Sequence, residues 1–413
     1  MTLTVVRRGV RLGACLALAL CAGLSIAARS PDHWIGAWGF PSTSAPVSGA
    51  GNTSIQAQPE VRDVTIRQLV RIAADAQRLR VRFSNEFGDK PLRIGVAHLA
   101  LSTSDGAIAA DSDHAITFAG QAGVTIPANA VIVSDAIAWT LPALSQLSVS
   151  TYLPEETRPP AHRISEYVAP GNVASAISMP AAQLVRGGAL VTRIEVESDK
   201  ASHVVVALGD SITEGVGSTV NTFRSWPDRL AERLMNNRST RDWCVVNAGI
   251  GSNRLLHNDP GQGALARFDR DVLSVPGVST VVLLEGINDI GYGNTRPAEA
   301  VSAQEITFAY EQIVSRAHAH GIFVIAGTIP PFEGSHYYDQ RGEQIRQDVN
   351  AWIRSTHVFD AVVDFDVALR DPQHSTQVRA ELHRGDHLHP NDAGYQAMAD
   401  AIDLKVFARQ ARK

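Results

Sequence analysis

Residues 204–215 read VVVALGDSITEG. Five apolar positions, three of them β-branched, run into Gly209, and Asp210 and Ser211 follow at once. A strand ending on glycine and a small polar pair reads as a strand-to-helix turn. Ser211-Ile212-Thr213-Glu214 fits a capping box, in which a serine satisfies the orphan N–H groups of a helix start. A serine delivered by the end of a strand is equally a candidate nucleophile. The stretch alone leaves both readings open.

Outward from it, strand-like runs alternate with helical ones. Val204–Leu208, Cys244–Asn247, Thr280–Leu284, Ile322–Ala326 and Ala361–Phe365 read as strands. Pro227–Asn236, Ala303–Ala319, Gln340–Arg354 and Asp392–Ala408 read as helices. That alternation predicts βα units and a parallel sheet flanked by helices over residues 199–413. Residues 29–198 read differently. Leu79-Arg80-Val81-Arg82-Phe83 alternates apolar with charged, as a half-exposed strand does. Leu92–Leu101, Ile116–Phe118, Val131–Val133 and Leu147–Leu153 follow, separated by turn residues, with a surface loop at Pro154–Pro160. This predicts an all-β sandwich or jelly-roll-like domain. A polar turn at Asp199-Lys200 marks the boundary.

Residues 1–28 have the layout of a signal peptide. Arg7, Arg8 and Arg11 precede an apolar run from Leu12 to Ile26, with a small-x-small cleavage site near Ala27. The expectation is an exported protein, periplasmic or extracellular, with no membrane span after processing. Loss of the leader takes the basic residues from 37 to 34 against 42 acidic ones. An acidic chain has no electrostatic footprint for nucleic acid. Of three cysteines, Cys15 and Cys21 leave with the leader, so no internal disulfide is expected. Cys244, inside a strand-like run, reads as a buried structural thiol.

Open parallel sheets bind ligands beyond the carboxyl ends of their strands. The first predicted strand delivers Gly209-Asp210-Ser211, the second Asn247-Ala248-Gly249, and the third Glu285-Gly286-Ile287-Asn288-Asp289. Arg384-Gly385-Asp386-His387-Leu388-His389-Pro390 comes just before the last helix. A serine hydroxyl needs a base to become a nucleophile, and histidine, with an ordinary pKa near ~6.5, is suited to that. Asp386, three residues before His389 in a loop, can fold back to fix the imidazole tautomer. The Ser211 N–H, the Gly249 N–H and the Asn288 side-chain amide can supply donors to an oxyanion.

These blocks, in this order, resemble the SGNH hydrolases, the GDSL family of lipases and esterases. Gly209-Asp210-Ser211 resembles the nucleophile block, Gly249 within NAGIGSNR the glycine block, Gly286-Ile287-Asn288-Asp289 the G-x-N-D block, and Asp386–His389 the D-x-x-H block. The resemblance implies a flavodoxin-like sheet, Ser211 as nucleophile, His389 as base, Asp386 as its partner, and an oxyanion hole of Ser211, Gly249 and Asn288, with no cofactor or metal. Ser211 is then both cap and nucleophile. The β-rich extension resembles that of bacterial GDSL proteins associated with carbohydrate acyl esters. The expected partner is a small-molecule or polysaccharide ester, with a short acyl group such as acetyl.

Three other readings stay open. His383 and His387, spaced i,i+4 beside Asp386 and His389, could bind zinc on a helix, although Gly385 and Pro390 point to a loop. Trp34 and Trp38 could stack on sugars in a glycan-binding protein, or pack in a core. A lipase, lysophospholipase or thioesterase would share the mechanism and change the substrate.

Overall fold

The computed structural model describes residues 33–44, 59–188, 190–199 and 203–410. The leader at 1–28 and Lys200 of the boundary turn lie outside the described residues. In the strand Ala76–Ser84, Leu79, Val81 and Phe83 are fully buried. Its charged alternates face the neighbouring strand Val191–Glu197, where Arg78 bonds Glu197 at 2.9 Å and Arg80 bonds Glu195 at 2.7 Å. Alternation thus sets the pleat, and directly opposed cross-strand ion pairs hold the register.

That strand lies in a five-stranded antiparallel sheet with Trp34–Gly39, Val191–Glu197, Val131–Val133 and Ile137–Leu141. A six-stranded antiparallel sheet runs Gln183–Gly188, Ala161–Pro170, Val64–Arg71, Gln146–Leu153, Val96–Leu101, His114–Ile116. Ile66, Val70, Leu147 and Val149 of one sheet and Leu79, Val81, Ile194 and Val196 of the other share a single apolar core. The strand expected over Leu92–Leu101 is two strands. Leu92–Ile94 pairs with Val124–Ile126, whereas Val96–Leu101 joins the six-stranded sheet, so the chain changes partners at Gly95.

The second region carries a five-stranded parallel sheet. Its strands are, in chain order, His203–Gly209, Trp243–Gly249, Val278–Leu284, Phe323–Gly327 and Ala361–Val363. Their spatial order is second, first, third, fourth, fifth. The chain leaves the first strand toward one edge and returns to build toward the other. The crevice at that reversal lies at the end of the first strand, where Ser211 follows Gly209. Nine α-helices are described: α1 (Ser211–Glu214), α2 (Trp226–Asn236), α3 (Ala264–Phe268), α4 (Ile287–Tyr292), α5 (Ala303–Ala319), α6 (Gln340–Ser355), α7 (Phe365–Leu369), α8 (Asp392–Ala401) and α9 (Lys405–Gln410).

Several ends shift by one or two residues from expectation, and two of the differences have a visible cause. The fifth strand stops at Val363 because Asp364 caps α7 through the Val367 N–H. The helix expected over Asp392–Ala408 breaks after Ala401. The Arg233 guanidinium takes the carbonyls of Ala399 and Ile402, and the Asp403 carboxylate accepts the Lys405 N–H. Side chains thus replace the continuing helical bonds.

The β-rich region is joined closely to the parallel sheet. The Gly36 N–H bonds Pro276 O at 2.9 Å, and the Cys244 thiol donates to Gly36 O at 3.2 Å. A Cβ at Gly36 would lie 2.7 Å from Val275 Cγ1, so only glycine allows this approach. Arg71, nearly buried, bonds Glu232 at 2.5 Å and Asp228 O at 3.0 Å on α2. Residues Trp34–Lys413 form one compact unit, with one apolar core running through both architectures.

Candidate active site

Asp210, not Ser211, caps α1. Its carboxylate accepts the Ile212 N–H at 2.8 Å, and Ser211 is the first helical residue. The capping box expected at Ser211–Glu214 is therefore absent; Ser225–Asp228 on α2 and Ser302–Glu305 on α5 form boxes instead. The shift by one residue matters chemically. A serine that caps a helix lends its oxygen to backbone N–H groups, whereas here the Ser211 hydroxyl is turned to the His389 ring, with Oγ 2.9 Å from Nε2. With only one helical turn, α1 is too short to build a substantial macrodipole, so its field adds little to the stabilisation of an oxyanion near Ser211.

His389 stands in the loop before α8. Its Nδ1 lies 2.7 Å from Asp386 Oδ2, while Asp386 Oδ1 accepts the backbone N–H of His389 at 2.9 Å and of Leu388 at 3.1 Å. A carboxylate only accepts, so Nδ1 carries the proton and Nε2 is left to accept from Ser211. Burial raises the Asp386 carboxyl, but bonds from the His389 ring and N–H and from Arg384 outweigh it and hold it well below the usual carboxylate range. The two arms are latched together. Asp392, at the start of α8, accepts from the Thr219 N–H at 2.8 Å and its hydroxyl at 2.7 Å, and Tyr395 donates to Val216 O at 2.7 Å. Thr219 and Val216 lie just past α1, so these bonds tie the serine segment to the histidine segment.

The expected oxyanion donors fare differently. Asn288, at the start of α4, is 2 % exposed and donates one amide hydrogen to Asn253 O at 2.8 Å. An amide nitrogen carries two hydrogens, so a second remains. The Gly249 N–H is already engaged, donating to Asn247 Oδ1 at 2.8 Å, because the asparagine folds back two residues along its own chain. Gly249 serves another need: a Cβ there would lie 2.2 Å from the Glu214 backbone nitrogen. Glycine lets α1 rest against the second strand.

Three residues given no role in the sequence reading are buried at the strand ends. The fully buried Arg267 on α3 donates to Gly209 O at 2.9 Å, Ala248 O at 2.7 Å and Asn253 Oδ1 at 2.9 Å, and pairs with Asp271 at 3.0 Å and Glu285 at 3.4 Å. One guanidinium thus ties the ends of the first three strands. Asp289 accepts the N–H groups of Leu255 and Leu256 at 2.7 and 2.9 Å, hanging that loop from α4. Asp210 is the third. Burial pushes its carboxyl up to about 7 and, with the neighbouring Asp210 charge, pushes Glu285 well above the carboxylate range. The Asp of G-x-N-D was visible in the quoted motif. Arg267 left no signal, since its partners are mostly carbonyls far along the chain.

Residues 207–397 match the GDSL-like lipase/acylhydrolase family. The chain carries a GDSL-like hydrolase domain. By that domain it is a carboxylic ester hydrolase. Among solved structures it is similar to an acetyl xylan esterase from Geobacillus stearothermophilus, with 22% identity, 50% of this chain and 95% of that chain covered, and a TM-score of 0.40. It is likewise similar to a GDSL-like lipase from Bacteroides thetaiotaomicron (21% identity, 52% and 91% covered, TM-score 0.37). An α/β hydrolase from the metagenome of Lake Arreo, Spain, stands at 23% identity, 50% and 95% covered, and a TM-score of 0.39. No curated protein sequence matches the chain.

Within the GDSL-like domain the histidines considered for zinc lie in a loop, not a helix. His383 Nδ1 accepts the N–H groups of Gly385 and His387 at 3.0 and 3.2 Å, and its ring tilts over His387 at 4.5 Å. Among the described residues no group of three or more His, Cys, Asp or Glu converges as a metal cage would. The two tryptophans have distinct settings. Trp34 lies beneath the guanidinium groups of Arg78 and Arg80, 5.4 and 4.3 Å from its ring. Trp38, stacked on Phe40, lines a cleft of 170 Å³ between the β-rich region and the loop after α1, shared with Phe223, Arg186 and Asn221. Cys244 is fully buried, and burial pushes its thiol up to about 12. No helix among the described residues is long and apolar enough to cross a membrane.

Proposed function

We propose that the protein is a serine esterase in which Ser211 is the nucleophile, His389 the general base and Asp386 its orienting partner. The observation that carries this is the unbroken relay from Ser211 Oγ to His389 Nε2 and from His389 Nδ1 to Asp386, at 2.9 and 2.7 Å. As Oγ attacks the acyl carbonyl, Nε2 takes its proton, and the Asp386 carboxylate stabilises the imidazolium that forms. The carbonyl oxygen becomes an oxyanion, received by the Ser211 N–H and the remaining Asn288 amide hydrogen. His389 returns the proton to the departing alkoxide, leaving an acyl-enzyme. Water, deprotonated by the same imidazole, then releases the acid.

The substrate we infer is a short acyl ester, acetyl foremost, of a carbohydrate, met after export to the periplasm or beyond the cell. The leader at 1–28 supports export. The cleft beside the loop after α1 supports the sugar, because an aromatic face at Trp38 with planar polar groups at Arg186 and Asn221 suits a hydroxylated ring. Lipase, lysophospholipase and thioesterase activities are tested by the same panel. A fluorophosphonate probe is expected to label Ser211, and Ser211→Ala to lose both label and activity, with EDTA without effect. Nitrophenyl esters of rising chain length beside acetylated xylan then rank the substrates. Labelling elsewhere, or activity surviving Ser211→Ala, rejects the assignment. A preference for long acyl chains rejects the carbohydrate acetyl reading alone.

A further inference from the structure

Asp386 holds two donors on one oxygen. His389 Nδ1 lies 2.7 Å from Oδ2, and Arg384 Nε lies 2.6 Å from the same atom. Arg384 is the only side chain besides His389 that bonds Asp386 among the described residues. The arginine is placed by its backbone and stem rather than by chance at the surface. Its N–H bonds His389 O at 3.0 Å, closing the loop on itself, and its Cδ lies 3.1 Å from where a Cβ at Gly217 would stand. The side chain remains 42 % exposed.

We propose that Arg384 is a positioning and tuning residue that weakens His389 as a base through the carboxylate they share, so that the imidazole stays unprotonated to lower pH. The physics is competition. A guanidinium already on Oδ2 neutralises part of the charge that would otherwise stabilise an imidazolium, and it adds a like charge nearby. Both effects favour neutral His389, the form that accepts the serine proton. The other titratable groups packed about this loop are His383 and His387 within it, and Asp392 paired with Arg224 at the start of α8. The others are Glu214 near His162 at the end of α1, Asp210 next to Ser211, Tyr395 on α8, and Glu333 and His336 on the loop whose Gly334 packs against His387. None of them bonds Asp386. This inference rests on His389 acting as the base.

The test is the pH profile of kcat/KM on nitrophenyl acetate for the full chain, its Arg384→Gln variant and its Arg384→Lys variant. Arg384→Gln is expected to move the acid limb up by about one pH unit, a roughly tenfold loss on the acid side, since a unit charge at this range and exposure is of that order. Arg384→Lys keeps the charge without the Nε fork, and its limb is expected between the other two. At 1 M NaCl the Debye length falls to about 3 Å, so the parent limb is expected to rise toward that of Arg384→Gln, which stays where it is. A limb that does not move in Arg384→Gln, or an alkaline plateau that falls with the limb in place, would mark a merely structural arginine and overturn the proposal. A profile with no acid limb in the parent chain, or activity in Ser211→Ala, would instead overturn the assignment of His389 as base.

Discussion

Glu166, on the strand Ala161–Pro170, is buried within the β-rich region, and among the described residues its carboxylate is bonded by the Gly188 N–H at 3.1 Å. Burial pushes its carboxyl from the ordinary 4.5 up to about 8, and the Gly188 bond opposes only part of that. The folded chain therefore holds a proton here that the unfolded chain has released. Because the native value is the higher one, the native state binds more protons between the two values, and stability falls as pH rises across that window. Between pH 5 and pH 9 the linkage amounts to about 4 kcal/mol. Glu166→Gln keeps an oxygen for the Gly188 N–H and removes the titration. Any fixed cost of the substitution is the same at both pH values, so the informative quantity is the change in the difference between variant and parent. Urea unfolding followed by tryptophan fluorescence at pH 5 and pH 9 is expected to show the variant gaining about 4 kcal/mol on the parent at the higher pH. A difference that stays constant within about 1 kcal/mol would mean that Glu166 is not held protonated, and the argument from its burial would fail.

Gly249→Ala keeps the backbone N–H but places a methyl against the Glu214 nitrogen, so α1 must move. A fall in kcat/KM of about 100-fold with a smaller loss of stability is expected from steady-state kinetics beside thermal melts. Unchanged kinetics would show that the site tolerates the shift. Arg267→Met removes the guanidinium shared by the Gly209 and Ala248 carbonyls and Asn253 Oδ1 and so unties the strand ends, while Asp271 keeps Arg270. A loss of about 3–5 kcal/mol in denaturant unfolding is expected, because several buried acceptors lose their donor at once. A loss below about 1 kcal/mol would count against this arginine as the tie between the strand ends.

Much of the architecture was readable because periodicity is local. The alternation at Leu79–Phe83 reports a strand with one buried face whatever lies across from it. The succession of strand-like and helical runs after Val204 carries the parallel sheet in the same way. Element ends were less readable. Whether Asp364 stops a strand, or Arg233 stops a helix at Ala401, depends on a side chain that finds a carbonyl or N–H only after folding. The split at Gly95 has the same origin, since the chain there trades one partner strand for another.

The candidate site divides along the same line. The residue types that could meet at the strand ends were evident from the blocks themselves: a serine after a glycine-terminated strand, an asparagine after the third strand, an aspartate three residues before a histidine. Their chemistry is intrinsic to the side chains and their short-range spacing. What only the tertiary structure decided was who engages whom. Asp210 takes the cap and leaves the Ser211 hydroxyl to His389; Asn247 occupies the Gly249 N–H; Arg267 binds carbonyls 19 and 58 residues away. A local pattern records propensity over a few residues. A hydrogen-bond partner is chosen by where separate strand ends come to rest, and that position is set by the packing of the whole sheet.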